Sequence, residues 1–75
     1  MSWSNTLIDQ TRKALDEPFF SADGFLHMKN MKGRYGKIHK DHLLQKTWLI
    51  KDKHTDDEYL YSTVDELVIA GWAID

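Results

Sequence analysis

Four histidines, His27, His39, His42 and His54, and the run His54-Thr55-Asp56-Asp57-Glu58 are the side chains with the most evident capacity for chemistry in this sequence. Two imidazoles with a carboxylate could hold zinc, and a histidine beside acids is raw material for proton transfer. Spacing supports neither reading. His39 and His42 would share a face only on a helix, and no third ligand stands at a fitting interval. The run from His54 to Glu58 lacks the spaced acids, central glycine and closing glutamate of a calcium loop, and turn chemistry accounts for Asp56 and Asp57. With no cysteine, thiolate zinc sites, disulfides and cysteine nucleophiles are excluded together. The glycines of "GRYG" sit in no phosphate-loop context. The histidines therefore read as surface groups near strand ends, able to titrate between roughly pH 5 and 8. No catalytic, metal or cofactor-binding residue is assigned, and the chain reads as non-enzymatic.

A second chemistry lies in "KNMKGRYGKIHK", where Lys29, Lys32, Arg34, Lys37 and Lys40 surround Tyr35 without an acid. Each cation could neutralise a phosphate and the tyrosine could stack on a base, with the stretch entering a groove as a β-hairpin arm. Against this stand a formal net charge of −2 and a sequence pI near 6.0, since nucleic-acid domains are usually basic throughout. The charge is nonetheless polarised. Residues 24–53 hold eight Lys or Arg against two acids, whereas residues 54–75 hold six acids and no Lys or Arg. Such segregation suits steering and register between proteins, including a homodimer.

The leading functional expectation is accordingly a protein-interaction module of adaptor or regulatory type, acting through a sheet face and segregated charge, with Trp3, Arg34 and Tyr35 as partner-binding residues. Trp3 is singled out because a terminal aromatic is the one least assured of burial. The alternative is a nucleic-acid-binding or transcription-modulating protein that uses Lys29, Lys32, Arg34, Tyr35, Lys37 and Lys40.

The elements that must position these residues follow from periodicity. Ser4 or Asn5 can cap a first helix with Leu7, Ile8, Thr11, Ala14 and Leu15 on one face, ending near Pro18. Phe19 or Phe20 is expected to plug the core from a loop. "FLHMKN" alternates as a strand, with Leu26 and Met28 on one side and His27 and Lys29 on the other. "MKG" forms a turn, and "RYGKIHK" a second strand in which Gly36 marks a bulge. "DHLLQ" is a connector or a single helical turn.

"TWLIKDKHTDDEYLYST" reads as a hairpin with a four-residue loop from His54 to Asp57, so that Lys53 faces Glu58, Lys51 faces Leu60 and Leu49 faces Ser62. Trp48, Ile50, Asp52, Tyr59, Tyr61 and Thr63 then gather on the buried side. "STVDELVIAGW" carries capping-box spacing in Ser62 with Asp65 and in Thr63 with Glu66, a stop at Gly71, and Trp72 folding back on the last turn.

The predicted fold class is α+β: an N-terminal helix, a three- to four-stranded antiparallel sheet, and a C-terminal helix packed on one sheet face. All 75 residues form one small domain, too small to spare its aromatics from the core. Neither a secretory signal nor an apolar run of about 20 residues is present, and a soluble cytosolic protein without membrane association is expected.

Overall fold

A computed structural model describes residues 3–17 and 21–75. Phe19 and Phe20, expected to plug the core, lie outside the described residues. The first helix, α1 (Asn5–Asp16), is capped by Ser4, whose hydroxyl accepts from the Leu7 N–H, and it buries Thr11 and Leu15. It ends at Glu17, whose backbone is extended, as expected of a residue followed by proline.

The next hairpin joins β1 (Phe25–Asn30) to β2 (Tyr35–His39). Met31, Lys32 and Gly33 form its three-residue turn, closed by Asn30 N–H donating to the Arg34 carbonyl and Gly33 N–H to the Asn30 carbonyl. Gly33, at φ 79°, supplies the left-handed residue that such a turn requires. Gly36 does not mark a bulge. It pairs in register with Met28 on one side and Asp52 on the other, and glycine is needed because a Cβ there would lie 2.5 Å from Ile50 Cγ2 and 3.3 Å from Trp72 Cη2.

The connector is helical, α2 (Lys40–Leu44), with the His39 imidazole Nδ1 accepting from the Asp41 N–H at its start. The second hairpin pairs β3 (Trp48–Asp52) with β4 (Glu58–Tyr61), but its loop is longer than expected. Lys51 faces Glu58, not Leu60, and Leu49 faces Leu60, not Ser62. The cause is Asp52, whose Oδ1 accepts the N–H groups of His54 and Thr55 at 2.7 and 3.1 Å, while the Lys53 N–H continues the β2–β3 pairing by donating to the Tyr35 carbonyl. The register shifts by two residues on the β3 side, an even number, so the inner face survives intact.

Helix α3 (Val64–Ile69) starts at Thr63, whose hydroxyl accepts from the Glu66 N–H, while the Glu66 carboxylate reaches back to the Ser62 N–H. Gly71, at φ 97°, ends the turn after it. Trp72 does not fold back on the helix; it opens a further strand, β5 (Trp72–Ile74), antiparallel to β1. Among the described residues the sheet therefore has five strands in the order β4-β3-β2-β1-β5 and not three or four, and three helices accompany it. The α+β class and the antiparallel sheet stand; the C-terminal element is a strand. Sequence periodicity could not find β5 because three residues hold barely one alternation.

One core joins the layers. Leu15, Leu43 and Leu67, one from each helix, cluster with Leu26, Met28, Ile38, Trp48, Ile50 and Trp72 from the sheet. All three helices thus cover the same sheet face. The free side of β5 is closed by α1: the Thr11 hydroxyl accepts the Ile74 N–H at 3.1 Å and donates to the Leu7 carbonyl at 2.8 Å. Among the described residues no helix is long and apolar enough to cross a membrane.

Candidate binding surface: the outer face of the sheet

Strand alternation turns every second residue away from the helices. On β1 these are Phe25, His27 and Lys29; on β2, Tyr35, Lys37 and His39; on β3 and β4, Leu49, Lys51, Glu58 and Leu60. None of them is buried, and Tyr35 and Leu60 are 43% and 69% exposed. Lys37 stands directly opposite Lys51 across the β2–β3 ladder. Like charges so placed oppose folding, yet they occupy the middle of the sheet, where an uncharged pair would fit as well.

Aromatic rings bracket this charge. Phe25 pairs with His39 at one end of the β1–β2 hairpin and Tyr35 pairs with Lys29 at the other, with His27 and Lys37 paired between them. The Lys37 ammonium lies 4.4 Å from the Phe25 ring centroid, and the His39 ring meets Phe25 edge-on at 5.3 Å. Tyr35 meets His54 edge-on at 6.5 Å.

The acids divide between the two sides of the sheet. Asp65, on α3, pairs with Arg12 on α1, on the helical side of the molecule. Asp56 lies 3.9 Å from Lys51, and Asp23 bonds the His27 imidazole at 2.9 Å. Among the described residues no ion pair involves Lys29, Lys32, Arg34 or Lys37. Desolvation works to raise the Asp23 carboxyl pKa, but the Phe25 N–H and His27 outweigh it and hold it below the usual range.

The residues singled out from sequence do not form one patch. Lys29, Tyr35 and Lys37 share the outer face. Lys32 is exposed on the hairpin turn, and the stem of Lys40, at the start of α2, lies beside Gly24. Arg34 donates to the Tyr59 hydroxyl at 3.1 Å, bordering a cleft of about 190 Å³ lined also by Asp52, His54, Thr55 and Asp57. The Asp52 carboxyl is held below its usual pKa by the N–H groups of His54 and then Thr55, with the His54 and Arg34 charges adding to them. These polar groups are engaged in closing the β3–β4 loop. Trp3 is half-buried: its indole N–H donates to the Gly71 carbonyl at 2.7 Å, and the Lys29 ammonium lies 5.1 Å from its ring. Its contacts are made within the chain.

Nor does the basic hairpin protrude as an arm. Its second strand lies at the centre of the sheet, hydrogen-bonded on both sides, so it cannot enter a groove as a free finger. Sequence reading missed Phe25 and Lys51 as members of the surface. Alternation within "FLHMKN" and "WLIKD" places each on the correct side, but only the ladder between the two hairpins brings them together. His39 and His42 do approach, at 6.3 Å between ring centroids. Among the described residues, however, no group of three His, Asp or Glu is arranged to hold a metal ion.

Compared with protein-family models, curated proteins and solved structures, the chain matches none.

Proposed function

We propose that this chain is a small non-enzymatic interaction module whose outer sheet face docks an anionic macromolecular surface. The observation that carries the reading is the Lys37–Lys51 pair, two cations opposed across neighbouring strands with Lys29 on the next strand, exposed Tyr35 at one end and half-buried Phe25 at the other. A fold that tolerates a repulsive local pair commonly does so at a functional site. The helical layer uses Asp65 in an ion pair with Arg12, and the acids of the C-terminal third that reach the face, Asp56 and Glu58, stand at Lys51 and leave Lys37 and Lys29 without an ion-pair partner among the described residues. The rim apolar pair Leu49–Leu60 adds contact area of the kind that interfaces combine with charge.

The test is titration of fluorescent polyglutamate and a mixed-sequence oligonucleotide at low salt, with wild type and Lys37→Glu. This substitution replaces repulsion with a cross-strand ion pair, so the variant should fold at least as stably while losing most affinity for both polyanions. Wild type that binds neither polyanion, or a variant that binds as well as wild type, would remove the reading.

A further inference from the structure

The geometry points to single-stranded nucleic acid as the ligand of the outer face, with one base stacked on Phe25, another on Tyr35, and the intervening backbone on Lys37, Lys51 and Lys29. This rests on the docking reading above and narrows it to one chemical class. Phe25 pairs with His39, and Tyr35 lies four residues along β2 from that position; at roughly 3.3 Å per strand residue the two rings stand about 13 Å apart. Bases stacked at about 3.4 Å per step along a duplex strand cannot reach both rings without opening. A splayed single strand can, because its bases are free to stack on separate aromatic side chains of a sheet.

The cations fall where such a strand would need them. Lys37 lies between the two rings along β2, Lys51 is its neighbour on β3, and Lys29 is directly opposite Tyr35. The Lys37 ammonium lies over the Phe25 ring, 4.4 Å from its centroid, so a base stacking there must displace the flexible lysine, which then stands within reach of the adjoining phosphate. An acidic protein surface would satisfy the lysines, but a single strand adds a stackable π face at every base, so that rings spaced along a strand are met at each step. The central position of β2 removes the groove-entering arm and leaves a flat platform.

Binding of the full chain would be measured by fluorescence anisotropy against a mixed-sequence single strand of DNA, the same sequence as RNA, the corresponding duplexes, and polyglutamate. Single strands of either sugar should bind more tightly than their duplexes. Loss of a stacking ring should weaken single-strand binding by at least about fivefold in Tyr35→Leu and in Phe25→Leu, with polyglutamate binding unchanged. Tyr35 is 43% exposed, so its substitution leaves the core untouched and keeps the test valid if Phe25→Leu unfolds. Amide shifts on titration should concentrate at residues 25–29, 35–39 and 49–51. Duplexes bound as tightly as single strands, or Tyr35→Leu binding single strands like wild type, would overturn this inference; retained polyglutamate binding that Lys37→Glu abolishes would then leave the docking reading standing. Failure to bind any polyanion would overturn both.

Discussion

Asp52 shows how one side chain can set the shape of a loop and make it respond to acid. Its carboxylate ends the inner stripe of β3 and accepts two backbone N–H groups, which hold its pKa below the reference value of 3.8. A group whose folded pKa is depressed stabilises the fold above its unfolded pKa and loses that contribution as pH falls through the folded value. Asp52→Asn should therefore lower the urea midpoint at pH 7, and the gap from wild type should close as the pH drops below 3.8. Denaturation curves at pH 7 and in progressively stronger acid would check this. Trp3 offers a second case, because its indole N–H bonds the carbonyl of Gly71, the residue that turns the chain into β5. Trp3→Phe keeps an aromatic ring but drops the donor, and thermal unfolding should register a loss of about 1 kcal/mol.

Among the elements, β2 pairs on both sides, as β1 and β3 do, and in addition passes beneath Ile50 and Trp72 at Gly36. Both obstacles are core side chains, one of them β-branched, so neither can swing aside. Gly36→Ala should cost about 1–3 kcal/mol by overpacking, read as a lowered denaturant midpoint without a change of fold. The cap of α3 is separable from this. Thr63→Ala leaves the Glu66 N–H without its hydroxyl partner and should cost about 1 kcal/mol in the same measurement.

Much of this layer was legible in the sequence, because alternation in "FLHMKN" and "WLIKD" and the threonine three residues before Glu66 are local signals. What escaped was set by distant partners. Gly36 looked like a bulge because the Ile50 and Trp72 side chains that demand a glycine are remote in sequence. The β3–β4 loop lengthened because the Asp52 carboxylate outcompeted the shorter turn for two backbone donors.

At the scale of the whole molecule, a chain of net charge −2 presents a face on which Lys29, Lys37 and Lys51 stand with Glu58 on the strands and with Asp56 and Asp23 reaching Lys51 and His27 from the loops. Sequence thirds hinted at such polarity, but linear segments could not assign it to faces. Asp65 lies with Arg12 on the helical side, whereas Asp56 lies beside Lys51. Three lysines releasing counterions from a single strand would give affinity that falls with salt at a log–log slope of about −2. Titrations between 50 and 200 mM salt should recover that slope in wild type and a shallower one in Lys37→Glu.

The pairing of β5 with β1 also has a bearing on synthesis. Residues 72–74 hydrogen-bond to residues 28–30, and Trp72 is part of the core. Until residues 72–74 have emerged from the ribosome, β1 lacks its partner on that side and the core lacks the Trp72 ring. Up to that point in synthesis the flank of β1 stays open, and a chaperone or a neighbouring chain can occupy it.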